Sequence, residues 1–189
     1  MLSLLLLSAC ADLSILEDDI EMAVQTWCAP NEEVDVSRVY DGDTFMFWEN
    51  DAEEKIRMLG VAAPEVESSG DPAECYGDEA AYFLQELLVG KEVRLEFDVE
   101  CVDIYHRTLA WVILRGNDPE VAEWMSLYEL QGLDADGSYE LLVNELLVRM
   151  GYATVFDGEV DQSIRYKVRM EDAEEASEDE ILGLWQECG

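Results

Sequence analysis

The chain has 189 residues, 45 acidic and 11 basic, for a formal net charge of −34. A coat this acidic repels nucleic acid and anionic lipid at long range, which excludes a protein that grips either by bulk charge. Three of the bases are lysines (Lys55, Lys91 and Lys167), and the 49% hydrophobic share allows one real core in a single domain with modest additions.

In a salty medium, screening shortens the repulsion to about 8 Å or less, so the charge reads first as a solvated surface. The chain opens on "MLSLLLLSAC", a short apolar run that ends in small residues before Cys10. It resembles a bacterial lipoprotein signal with the lipobox Leu7-Ser8-Ala9-Cys10, although no basic residue precedes the apolar run. The expected division is a signal over residues 1–9, then a lipidated N-terminus and acidic tether, including "LEDDIE", over residues 10–32. A buried N-terminal strand or helix turn is the alternative. No second apolar run is long enough to span a bilayer. Setting Cys10 aside leaves Cys28, Cys75, Cys101 and Cys188. An even number in an exported chain suggests two disulfides, with three possible pairings. The expected location is therefore outside the cytoplasm, with the membrane touched only through the lipid.

"EVDVSRVY" alternates apolar and polar residues and predicts a strand. "DTFMFWE" follows it directly, which puts Asp41-Gly42-Asp43 in the turn between two strands. "EKIRMLGV" predicts a third strand, and "GDEAAYFLQELLVG" a helix closed by Gly90. "KEVRLEFD" and "RTLAWVIL" predict strands four and five. Residues 116–138 read as an irregular insertion. "SYELLVNELLVRMGYA" predicts a second helix ending at Gly151, and "VRMEDAEEASEDEILGLW" a third with a very acidic outer side. The order implies an α+β fold: a small five-stranded barrel with three helices packed outside, binding ligands on one face and in its loops.

Six stretches in this order, "YDGDTF", "RMLGVAAPE", "CYGDEA", "DIYHRTLAWV", "VNELLVRMGYA" and "GLW", resemble the staphylococcal nuclease (thermonuclease) family over roughly residues 33–186. The resemblance implies an OB-fold barrel over residues 33–189 and calcium-dependent cleavage of DNA or RNA by a monomer. By that resemblance Asp43 is a direct calcium ligand, Asp41 lies in or near its second shell, and Ala63 contributes its backbone carbonyl. Glu65 matches the family's glutamate that orients or deprotonates water. Arg57 and Arg107 match two guanidiniums that grip the phosphate. The chemistry suits these residue types. Hard oxygen donors hold calcium, a positioned carboxylate takes a proton, and the arginine fork bonds two phosphate oxygens while keeping its charge. In the family fold Cys75 and Cys101 lie toward the active-site end, which implies a Cys75–Cys101 bridge, with Cys28–Cys188 joining the chain ends.

Each residue has a plainer reading. "DG" is a turn signal, Thr44 can be a structural hydroxyl, and Glu65 and Arg107 can be plain surface; Arg57 can serve a structural ion pair. The sequence also departs from the family pattern. Ala62 stands where the family has a metal-binding aspartate. His106 stands at a glycine turn, and the expected base-stacking tyrosines after the second helix are not evident, although Phe156 is near. Two readings follow: an active exported nuclease, or a degenerate nuclease fold kept as a binding or structural module.

Overall fold

The computed structural model describes residues 32–49, 52–68, 70–156, 158 and 165–189. The lipoprotein-type signal, Cys10, the tether and Cys28 fall outside these residues.

Strand β1 (Glu32–Asp41) buries Val34 and Val36 while their neighbours face out, as the alternation predicts. A tight turn leads to β2 (Thr44–Glu49), which pairs antiparallel with β1 and with β3 (Ala52–Met58). Short strand β4 (Val61–Ala62) pairs with β8 (Thr154–Val155). Helix α1 (Gly77–Leu88) packs Leu84, Leu87 and Leu88 into the core, and β5 (Glu92–Glu96) pairs with the start of β1. Strand β6 (Thr108–Gly116) completes the barrel. One edge pairs antiparallel with β5, and the other runs parallel to β3 through Ile56–Thr108, Arg57–Leu109 and Met58–Ala110. The five strands in the order β3-β2-β1-β5-β6 therefore close on themselves as an OB-like barrel. Trp111, Phe45, Ile56, Met58 and Leu95 fill it.

The rest of the chain departs from the sequence expectation in three places. Residues 116–138 contain helix α2 (Pro119–Leu127), whose start is set by Pro119 and by the Asp118 carboxylate accepting from the Glu120 N–H. The predicted second helix begins instead as strand β7 (Tyr139–Leu142), paired with the last residues of β6, before helix α3 (Val143–Arg149). An unbroken apolar run suits a buried strand or a buried helix equally. The unpaired half of the β6 edge takes the first four residues as a strand. The predicted third helix divides into α4 (Lys167–Asp179) and short α5 (Leu184–Glu187), because Ile181 and Gly183 adopt φ of 56° and 50°. Among the described residues no helix is long and apolar enough to cross a membrane.

All seven residues of α3 are buried. Asn144 joins the layers: its side-chain oxygen accepts from the Val112 N–H at 2.9 Å and its amide donates to the Leu59 carbonyl at 2.8 Å. Glu145 pairs with Arg169 of α4, and Arg149 with Glu180.

The disulfide pairing differs from the one the family fold implied. Cys75 bridges Cys188, and Cys101 is disulfide-bonded but not to Cys75. The turn after α4 explains this. The Gly151 carbonyl accepts from the Leu184 N–H at 2.8 Å, and a Cβ on Gly183 would stand 2.3 Å from that same oxygen. This close backbone docking carries the C-terminal segment back to Cys75, two residues before α1.

Candidate active site

Asp41 ends β1, and Gly42-Asp43 make the turn into β2. The turn is wedged tightly: a Cβ on Gly42 would lie 2.6 Å from the Ala63 Cβ and 2.7 Å from the Ala80 Cβ, so only glycine fits. The Asp43 N–H donates to Asp41 Oδ1 at 3.0 Å, fixing the two acids side by side. Both are buried, Asp41 to 8% exposure and Asp43 to 5%.

Asp43 is held from several sides. Its Oδ1 accepts from the Thr44 hydroxyl at 3.0 Å, and its Oδ2 accepts from the Ala63 N–H at 2.8 Å. Arg57 reaches Oδ2 from β3, where it stands opposite Thr44, and forms an ion pair with it. The Asp43 carbonyl accepts from the Met58 N–H at 2.9 Å. Burial raises the Asp43 carboxyl to about 7; the Arg57 charge opposes the rise and the Asp41 charge adds to it. The Arg57 Nη1 is buried and lacks hydrogen-bond geometry to any partner, although it is paired in charge with Asp43.

Arg107 comes from a separate turn. The Asp103 carboxylate accepts from the backbone N–H groups of Tyr105 and Arg107, and its Oδ2 accepts from Arg107 Nε at 2.6 Å. Burial works to raise the Asp103 carboxyl, but those hydrogen bonds and the Arg107 charge outweigh it and hold the carboxyl below its usual range. His106 takes the left-handed backbone of this turn with φ of 62°, so it acts here as a turn residue.

The barrel brings the two arginines together. Arg57 and Arg107 line one cavity of about 240 Å³, with Gly60, Asp103, Ile104, Tyr105 and Phe156 in its walls. The Phe156 ring centre lies 6.0 Å from the Arg57 guanidinium carbon, and the Tyr105 ring 5.6 Å from that of Arg107. Glu65 stands apart. It is exposed, and among the described residues its carboxylate has neither a hydrogen bond nor an ion pair. Glu74 holds its backbone instead: the Glu65 N–H donates to Glu74 Oε2 at 3.0 Å, and the Glu74 N–H donates to the Glu65 carbonyl at 2.8 Å. Ala62 presents a methyl group on β4, and its carbonyl accepts from the Thr154 hydroxyl at 3.3 Å.

Sequence reading missed Asp103 and Glu74. Asp103 carried one signal, an acid four residues before Arg107 in a tight turn. Glu74 carried none, because its partner lies across an exposed loop.

Among the described residues no three histidine, cysteine or acidic side chains converge on one point. The donor set does fit a hard cation: two adjoining buried carboxylates, one of them raised by that burial to titrate at about 7.

A closed barrel with a buried acid pair and two arginines lining one cavity defines an OB-like barrel protein. The chain belongs to the family of staphylococcal nuclease homologues, whose profile matches residues 55–187. It is 42% identical over 79 residues to a thermonuclease of Staphylococcus intermedius, covering 42% of this chain and 47% of that one. A thermonuclease of Staphylococcus hyicus gives the same identity and coverage. A probable endonuclease of Talaromyces marneffei is 31% identical over 141 residues, 71% of this chain and 35% of the fungal one. The chain thus spans about half the length of the thermonucleases it matches and about a third of the fungal protein.

Proposed function

We propose that this chain is a calcium-dependent phosphodiesterase, an endo- or exonuclease acting on DNA or RNA outside the cytoplasm. The observation that carries the reading is the shared cavity: one guanidinium from strand β3 and one from the turn before β6 line it together, in a protein whose surface is otherwise acidic. Membership of the nuclease homologue family supports the same reaction class. A fork of five donors that keeps its proton stabilises the extra negative charge of a five-coordinate phosphorus better than any other side chain. Arg57 and Arg107 serve that role. Asp103 fixes the Arg107 side chain by a bond to Nε. Glu65 accepts the proton of the attacking water, and its exposure leaves it open to solvent. Asp43, Asp41 and the Ala63 carbonyl would hold the calcium ion, which supplies neutralisation of the phosphate charge. The acidic surface slows approach of a polyanion, so the cavity binds substrate at short range.

The lipobox, and the four cysteines left once Cys10 is set aside, support export and anchoring through Cys10. Mass spectrometry of the chain from its native host tests this: a lipidated N-terminal Cys10 is expected, and an intact Met1 overturns it.

One observation favours a second reading. Ala62 supplies no carboxylate, and no third acidic group replaces it among the described residues. That composition suits a degenerate fold kept as a binding or structural module. Digestion of a plasmid and of an RNA by the full chain, with calcium and with chelator, separates the two. Cleavage that needs calcium and is lost in both Glu65→Gln and Arg107→Ala supports the nuclease. No cleavage at any calcium concentration, with activity appearing in Ala62→Asp, establishes the module.

A further inference from the structure

The carboxylate of Glu65 has no partner of its own among the described residues, so the direction in which it points depends on its backbone. That backbone stands at one end of an exposed loop: Glu67, Ser68, Gly70, Asp71 and Pro72 are all exposed. Within the loop, Ser68 and Asp71 exchange backbone hydrogen bonds at 3.1 and 2.7 Å. Such a segment opens easily unless its ends are fixed.

Glu74 fixes them. It grips the Glu65 residue twice, by its carboxylate at 3.0 Å and by its N–H at 2.8 Å. Gly77 closes the clamp from behind. Its N–H donates to the Glu74 carbonyl at 3.1 Å, and a Cβ at this position would stand 2.3 Å from the Glu65 oxygen. The adjoining Cys75 is bonded to Cys188. The Cys188 N–H donates to the Leu184 carbonyl at 2.9 Å, and the Leu184 N–H donates to the Gly151 carbonyl at 2.8 Å. An unbroken line of bonds therefore runs from the buried end of α3 to the residue that carries the base.

We propose that Glu74 is a positioning residue for Glu65, and that the Cys75–Cys188 bridge holds Glu74 in place from the C-terminal segment. The proposal rests on Glu65 acting as the base assigned above. Glu74 touches no reacting atom. It sets the origin from which the Glu65 side chain extends, and the bridge keeps that origin still when the exposed loop moves. A base displaced by about 1 Å loses up to about a hundredfold in rate, so this support is worth testing kinetically.

The test compares Glu74→Ala with Glu74→Gln, each in the wild-type and Glu65→Gln backgrounds, using a labelled single-stranded DNA oligonucleotide at saturating calcium. Glu74→Ala should lower kcat by roughly 10- to 100-fold and change KM by less than about twofold. Glu74→Gln should stay near wild type, because its amide oxygen still accepts from the Glu65 N–H. In the Glu65→Gln background Glu74→Ala should cause no further loss. A second readout needs no turnover. In calcium-free protein the Glu65 amide should exchange its hydrogen faster in Glu74→Ala and in the Cys75→Ser/Cys188→Ser double variant, but not in Glu74→Gln. Equal losses in the Ala and Gln variants, an additive loss on top of Glu65→Gln, or unchanged exchange in Glu74→Ala would overturn the proposal. Full activity of Glu65→Gln would sink the base assignment and the positioning role with it. An inactive Glu65→Gln beside an unaffected Glu74→Ala would sink the positioning role alone.

Discussion

Replacing Asp43 by asparagine keeps the side chain's shape and, with the amide oxygen toward Ala63, its hydrogen bond, while removing the charge that burial opposes. In the folded chain burial raises this carboxyl from 3.8 to about 7, with Arg57 pulling it back and Asp41 pushing it up. The folded value lies above the unfolded one, so the folded state holds the proton longer. The stabilisation is therefore fully present below about pH 4 and is lost as pH rises through about 7. The gap from 3.8 to about 7, at roughly 1.4 kcal/mol for each step of one in pH, comes to about 4 kcal/mol. At 5% exposure the residue has little solvent to screen it. Asparagine does not ionise, so the variant lacks this loss. Urea unfolding of both chains in chelator, from pH 4 to pH 8, measures the difference. At pH 4 the wild-type carboxyl is itself protonated, Arg57 lacks an anionic partner in both chains, and their stabilities should agree. By pH 8 Asp43→Asn should be ahead by about 4 kcal/mol. Calcium should then close the gap from the wild-type side, because a cation that binds only the folded chain stabilises it by mass action. Stability curves that run parallel across the whole window would refute the reasoning.

Ala62→Asp adds a carboxylate one residue before Ala63, whose N–H already holds Asp43, and should lower the calcium concentration for half-maximal cleavage while raising the rate; a calcium titration of oligonucleotide cleavage checks it, and an unchanged midpoint counts against the assigned site. Asn144→Ala leaves the buried Val112 N–H and Leu59 carbonyl without partners and should cost about 2–4 kcal/mol in denaturant unfolding. Cys188→Ser opens a bridge between residues 113 apart and should destabilise the chain by about 5 kcal/mol in the chain-entropy model, read as a lowered unfolding midpoint.

Local chemistry determined much of this protein from the sequence alone. Alternation in β1, the "DG" turn beside Asp43 and the helical spacing of α1 are short-range features, and sterics within a few residues enforce them. The resemblance of six stretches to one family singled out Asp41, Asp43, Arg57 and Arg107 as one candidate set. Long-range contacts decided the rest. The apolar run from Tyr139 to Val148 suits a strand or a helix equally, and only the unpaired half of the β6 edge assigns its first four residues to β7. Cysteine spacing allowed three pairings, and only the docking of Gly183 against Gly151 brings Cys188 to Cys75. The clamp of Glu74 on Glu65 follows from how a loop closes. One half of the clamp is a backbone bond open to almost any residue, and the other is an acid accepting from an N–H nine residues away, a spacing with no sequence signature.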